Sequence, residues 1–384
     1  MTITSTSLWT EVNEAPVKPT ATIRTLPEDF RVEELPMYPA SGTGGHVFIQ
    51  VRKTGWSTSA CVGRIAKELN LDSSEMGHAG MKDRHAITTQ LLSFPWPEQE
   101  PLPSLDALEP EGIEVLSAER HPHKLRVGHL IGNRFEIVLR DLADDNEAPL
   151  ADALTQLRST GVPNAFGPQR FGRDGDNPER ALGWLRGEHR GPRDKRTRKL
   201  LLSSVQSMLF DRLLARRVAD GTWSTVVRGD LAKTTDHGGL FLSEDEEVDA
   251  KRAALGEVTA TGPIFGPRMR WPEGEPARWE REVLDEALGG PDALEGLGKI
   301  GAGSRRALRI VPGDLEFLFA KEVNQKTITV CMTLPKGAYA TTVLGAVFLL
   351  QDESIRRWEA SKNETTPDSS PHDELLRDTR NTSR

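Results

Sequence analysis

Residues 78–90 read His-Ala-Gly-Met-Lys-Asp-Arg-His-Ala-Ile-Thr-Thr-Gln, and 91–94 continue Leu-Leu-Ser-Phe. A charged, glycine-containing turn therefore runs straight into Ile87–Phe94, a β-branched and apolar run of strand length. Asp83 stands between Lys82 and Arg84. Neighbouring cations favour the charged form of a carboxylate. On a loop before a rigid strand, such a group can serve as nucleophile or base. Taken alone, the triplet is more often a solvated turn of alternating charges, because turns favour such residues.

Strand and helix signals alternate on both sides of this segment. Val47, Ile49 and Val51 alternate with polar neighbours, as a half-buried strand does. Ser57 is placed to cap a helix carrying Val62, Ile65, Ala66 and Leu69 at helical spacing. Phe135, Ile137 and Leu139 predict another strand. Helices are predicted around Leu150–Arg158, from an Asn177 cap with Pro178 inside it, and over Thr197–Val218, ending near Gly221. Thr327–Thr333 alternates again. After a turn at Pro335–Gly337, Thr341–Leu350 reads as a helix. Separated strand clusters of this kind make an α+β protein. Residues 159–317 are richer in Gly, Pro and Arg than their flanks and could form an inserted domain. Residues 1–20 read as a flexible arm, and 353–384 as a disordered tail without apolar pattern.

At 384 residues the chain has room for two domains or one with a large insertion. Its formal charge of −8 argues mildly against a nucleic-acid partner. The acidic excess is local, however, lying at Ser243–Asp249, Glu273–Glu286 and the C-terminal tail. Cys61 and Cys331 stand far apart, which disfavours a disulfide framework or a zinc site and fits a reducing cytoplasm. The N-terminus lacks the apolar core of a signal peptide, and Val343–Leu350 is too short to span a bilayer. A Walker A motif and a Gly-x-Ser-x-Gly elbow are both missing. A metal site is not expected either, because His121 and His123 lack a third ligand at a recognisable spacing.

Three further segments could carry chemistry. Residues 161–177 interleave glycines with Phe166, Phe171, Arg170 and Arg173, suiting phosphate contact and base stacking or, equally, a loop packed on its own phenylalanines. Residues 186–199 hold the strongest basic run, including Arg193, Lys195, Arg196, Arg198 and Lys199. Its natural partner is a phosphate backbone, although a solvated surface carries such runs as well. Arg305, Arg306 and Arg309 add a smaller basic cluster. Asn133 and Phe135 enter a strand, where Asn can bond a base edge and Phe can stack; a turn Asn before a core Phe is the plainer alternative.

Taken in order, these segments resemble the TruD family of pseudouridine synthases. Pro27-Glu-Asp-Phe-Arg-Val-Glu33 is similar to its N-terminal signature, Ala79–Gln90 to its catalytic motif, and Gly132-Asn-Arg-Phe135 to its Asn-x-Phe element. Gly161–Gly172 and Leu334–Thr342 resemble its two remaining signatures. The likeness runs from about residue 22 to 350.

The resemblance implies a catalytic domain with a mixed, mainly antiparallel sheet, formed by residues 21–158 and 318–352 and interrupted by an α+β domain at 159–317. It implies isomerisation of a uridine flipped out of its stack, at uridine 13 of the tRNA D-arm. Asp83 is the expected nucleophile, acting at C1′, at C6 or by proton abstraction to a glycal. Phe30, Asn133, Phe135 and Tyr339 are expected to contact substrate, Tyr339 standing where the family often has Phe. Arg24 and Lys82 are expected to support Asp83. Arg170, Arg173 and the 193–199 strip are expected to meet RNA. The expected enzyme is cytoplasmic and monomeric, acts on tRNA and needs no cofactor. Two alternatives stand beside it: a tRNA-binding chaperone without chemistry, and a pseudouridine synthase acting on another RNA.

Overall fold

Side-chain alternation becomes strands wherever one face can be covered. The computed structural model describes residues 18–142, 147–172, 175–236, 238–289, 301–322 and 325–357. The first part of the chain forms β1 (Thr20–Ile23), β2 (Phe30–Pro36), β3 (His46–Thr54), α1 (Thr58–Glu68), β4 (Gly77–His78), β5 (Ile87–Pro95), β6 (Ile113–His121), β7 (Leu130–Leu142) and α2 (Glu147–Thr160). The middle forms β8 (Val162–Pro163), α3 (Asn177–Leu185), α4 (Lys195–Ala219), β9 (Leu231–Thr234), β10 (Leu240–Leu242), α5 (Glu246–Ala254), β11 (Val258–Ile264), α6 (Gly274–Leu288), β12 (Ser304–Ala307) and β13 (Arg309–Ile310). The chain then adds β14 (Gly313–Glu322), β15 (Gln325–Pro335), α7 (Ala340–Val347) and β16 (Leu349–Asp352).

The outer parts build one ten-stranded sheet in the order β14-β15-β7-β2-β5-β3-β6, with β4 on β5 and β1 joining β7 and β16. Among the described residues, only β2–β5 and β1–β16 pair in parallel. The sheet is thus mixed and mainly antiparallel, as the resemblance implied. The middle builds a four-stranded antiparallel sheet, β10-β9-β11-β12. Where the chain leaves the large sheet and returns to it, β8 and β13 pair antiparallel.

One apolar cluster joins both sheets: Phe210 and Leu214 of α4 are buried with Ile137, Val330 and Val343. Burying each such side chain contributes about 1.5–3 kcal/mol. A second cluster packs α3, α4 and α6 through Leu182, Val205, Leu209 and Leu284. A third seats α1 on β3 and β5 through Val62, Ile65, Val51 and Leu92. The Ser57 cap forms as expected, its hydroxyl accepting from the Ala60 N–H at 3.2 Å.

Several boundaries differ from expectation. The long helix begins at Lys195, because Asp194 caps it, accepting the Thr197 N–H at 2.7 Å. The cations at 195 and 196 hide this start, being residues the positive end of a helix disfavours. Asn177 is the first helical residue behind Asp176 and does not cap. The helix read through Leu350 stops at Val347, and Leu349–Asp352 form a strand beside β1. Residues 18–20, assigned to the flexible arm, are tied down: Lys18 Nζ donates to the Gly345 carbonyl at 3.1 Å and the Leu349 N–H donates to Pro19 at 2.9 Å. Residues 353–357 are helical rather than tail, and Arg357 donates to the Thr25 carbonyl. The boundary expected at 317/318 falls inside β14, which pairs with β15 from Gly313 onward.

Candidate active site

The 79–86 loop follows β4 and leads into β5, above the rim of β2 and β7. Its main chain is held at several points. The Lys82 N–H donates to Thr58 Oγ1 at 2.8 Å, and Thr58 donates on to Gln90 Oε1 at 2.9 Å. Lys82 Nζ lies 2.5 Å from Glu34 Oε2, and these side chains are only 5% and 1% exposed. Glu34 Oε1 also accepts the Leu91 N–H at 3.1 Å. From the other side, Lys53 Nζ donates to the Asp83 carbonyl at 3.0 Å and to the Trp56 carbonyl at 2.6 Å. Arg84 Nε donates to the Gly55 carbonyl at 3.2 Å.

While its backbone is fixed, the Asp83 side chain is 56% exposed. Its Oδ2 accepts from Arg24 Nη2 at 2.9 Å. Arg24 occupies a left-handed backbone position, φ +58°, just after β1. Its other amino group bonds Asp352, and its guanidinium carbon lies 3.9 Å from the centre of the Phe30 ring. The Phe30 ring in turn meets Phe135 edge-on at 6.4 Å. Arg24 is therefore fixed by two carboxylates and a ring face, a geometry that suits a planar guanidinium.

The expected substrate-contacting residues fall into three situations. Phe30 is buried beneath Arg24, and Phe135, buried edge-on against it, completes a floor. Asn133 lies opposite Glu34 in the β2–β7 register, and its buried Oδ1 lacks a hydrogen-bond partner among the described residues. Its predecessor Gly132 is required, since a Cβ there would come 2.2 Å from the Leu334 carbonyl oxygen of β15. Tyr339 precedes α7 and is 59% exposed.

Arg305, Arg306 and Arg309 are not a basic surface. Arg305 is buried against Glu280 at 2.6 Å. Arg309 donates to the carbonyls of Ser159, Thr160, Ser224 and Ala253. Arg306 lies 4.1 Å over the Phe166 ring and donates to Asn164 and to the Gly337 carbonyl before Tyr339. Burial pulls its guanidinium down to about 10 and pushes the adjacent Asp211 carboxyl well up. Phe166 and Phe171 are packed inward, so they do not offer stacking faces. Arg170 is exposed, its Nε on Ser207 Oγ at 3.0 Å, and Arg173 lies outside the described residues. In the basic strip Arg193, Lys195, Arg196 and Lys199 are exposed. Arg198 is half-buried, donating to the Pro192 carbonyl and standing 5.8 Å over Trp184.

Comparison with known proteins identifies the family. The family model of TruD, tRNA pseudouridine synthase D, matches residues 18–178 and 193–347. The chain is 42% identical over 330 residues to tRNA pseudouridine synthase D of Anaeromyxobacter sp. (strain Fw109-5), covering 84% of this chain and 90% of that one. It is 36% identical over 329 residues to tRNA pseudouridine synthase D of Thermus thermophilus, covering 86% and 89%. The crystal structure of the putative tRNA pseudouridine synthase D from Methanosarcina mazei shares the fold, with a TM-score of 0.65 at 22% identity over 86% of this chain and 94% of that one. Sheet, rim and match define the class first: an RNA-modifying isomerase, a pseudouridine synthase. Within that class, the chain belongs to the TruD family of tRNA pseudouridine synthases.

Proposed function

We propose that this chain isomerises uridine 13 in the D-arm of tRNA to pseudouridine, with Asp83 as the nucleophile. The observation that carries this reading is the contrast at Asp83, where an immobilised main chain presents an exposed carboxylate. Positioning of that kind lowers a barrier by removing orientational freedom in advance. The target base leaves its stack, because its glycosidic bond is otherwise out of reach. It enters beside the Asp83 carboxylate, with Arg24 on the Phe30–Phe135 floor below and the exposed Tyr339 ring as a stacking face. The unpaired Asn133 Oδ1 suits a donor such as the uracil N3–H. Leaving such an acceptor buried costs about 1–3 kcal/mol, which a ligand donor would offset. The carboxylate then initiates cleavage of the N1–C1′ bond, and the uracil turns and rejoins through C5, which gives up its proton while N1 takes one, so that the product is an isomer. The exposed cations of the 193–199 strip supply phosphate contacts.

The test is base-resolved chemical mapping of pseudouridine in unmodified tRNA transcripts after incubation with the enzyme. A new signal at position 13, absent when that uridine is replaced by cytidine, is the expected result. A signal elsewhere would refute the position, and no signal on any tRNA would turn the reading toward another RNA or a non-catalytic binder. The strip is tested by reversing Arg193, Lys195 and Arg196 to Glu. Binding to tRNA should weaken, and the slope of log Kd against log salt should flatten by roughly 0.7–0.9 for each phosphate that is no longer neutralised. An unchanged slope would remove the strip from the interface.

A further inference from the structure

Among the described residues, Lys53 is a buried ammonium without a carboxylate of its own. It stands one residue before the end of β3, on the face that carries Val47, Ile49 and Val51 into the apolar cluster under α1, and it is 1% exposed. Both of its hydrogen bonds go to main-chain carbonyls, those of Trp56 and Asp83. Three charged or titratable groups face it. Asp83 and Lys82 come from the loop, where they are engaged by Arg24 and Glu34 respectively. Cys61 comes from α1, and burial pushes its thiol up to about 11, so it stays neutral through the working range.

Desolvation pulls the Lys53 amine down to about 8. The sign of its stability linkage follows. Since folding disfavours the charged form, Lys53 is a cost to stability at neutral pH, and the cost fades as pH rises through about 8 toward the unfolded value of 10.5. A side chain that burdens the fold at neutral pH while gripping the nucleophile's own carbonyl is one whose use lies in the reaction.

We infer that Lys53 is a positioning residue: its buried ammonium holds the main-chain carbonyl of Asp83, fixes the nucleophile's backbone, and sets an alkaline limit on turnover. The inference rests on the reading of Asp83 as nucleophile. Charge-assisted bonds to a carbonyl are about twice as strong as neutral ones. When Lys53 loses its proton the grip slackens, and turnover falls while stability does not.

The experiment is the pH profile of kcat and KM between pH 6 and 9 for the wild type, Lys53→Met and Lys53→Arg, with Asp83→Asn alongside. Wild-type kcat should fall above about pH 8. Lys53→Met should lose about ten- to a hundredfold in kcat at pH 7 with KM within twofold, the size that a displacement near 1 Å produces, and its remaining turnover should be flat with pH. Lys53→Arg keeps its charge, so its alkaline limit should move beyond pH 9. It carries the test if Lys53→Met fails to fold. Wild-type kcat in Lys53→Met, or the same alkaline limb in wild type and Lys53→Arg, would overturn the inference. Turnover by Asp83→Asn would instead sink the nucleophile reading. An inactive Asp83→Asn beside wild-type-like Lys53 variants would refute the role of Lys53 alone.

Discussion

Asp83→Asn is expected to lower pseudouridine formation by at least about 10⁴-fold, the scale on which enzymes lose rate when a nucleophile or its essential partner is removed. That corresponds to about 5 kcal/mol of lost transition-state stabilisation. Affinity for tRNA should stay within about threefold. Asn has nearly the same shape, its amide oxygen can still accept from Arg24, and the tethers of the loop at Lys82 N–H, Lys82 Nζ and the Asp83 carbonyl leave the substituted side chain out. Single-turnover labelling and filter binding on the same preparation separate the two quantities. Residual turnover within a hundredfold of wild type would remove Asp83 from the nucleophile's role. Loss of tRNA binding would instead make Asp83 part of the recognition surface. The exposed basic residues that should carry affinity belong to a different element, α4 and its approach, so the two effects are expected to part cleanly.

What the sequence disclosed divides along physical lines. Period-2 alternation made β3, β7 and β15 legible, because burial of a covered face enforces the pattern, and a β-branched, apolar run of strand length made β5 legible. Asp83 stood out through its flanking cations and the strand behind it. Of the residues around it, Arg24 and Lys82 were named through the resemblance, whereas Glu34 and Lys53 were missed, although parity carried a signal. Phe30, Val32 and Glu34 share one face of β2, while Val47, Ile49, Val51 and Lys53 share one face of β3. A charged residue on a buried face demands a partner, and Glu34 and Lys53 both find theirs in the Asp83 loop. The mirror error was to read Arg305, Arg306 and Arg309 as a basic surface. Their composition is that of a phosphate site, but Glu280 and a set of carbonyls supply their partners from elements distant in sequence. Local pattern could not settle the apolar run Val343–Leu350 either, since such a run suits a buried helix or a buried strand equally, and here it is divided between α7 and β16.

Glu34→Gln should show how far the Asp83 loop depends on its buried ion pair. The Glu34–Lys82 contact is 2.5 Å long between two side chains almost out of reach of water. Removing one charge strands the other, which costs about 3–5 kcal/mol at buried pairs, whereas replacing both by apolar groups of similar size is often neutral. Glu34→Gln keeps shape and hydrogen bonding, so a stability loss near the lower end, about 3 kcal/mol, is expected by denaturant titration. Lys82→Met strands the carboxylate, which still accepts the Leu91 N–H, and should cost a similar amount. In a double-mutant cycle built from Glu34→Met, Lys82→Met and the two combined, the double's loss should fall well short of the sum of the two singles, giving a coupling energy of about 1–3 kcal/mol. Turnover should not follow stability back. The pair draws Lys82 inward and so helps to aim its neighbour Asp83 outward; without it, kcat should stay about a hundredfold down, as a displacement of about 1 Å produces. Single variants that add within about 0.5 kcal/mol would mean that the pair is not coupled. A double variant that is both stable and fully active would show that the Thr58 and Lys53 tethers alone suffice to hold Asp83 in place.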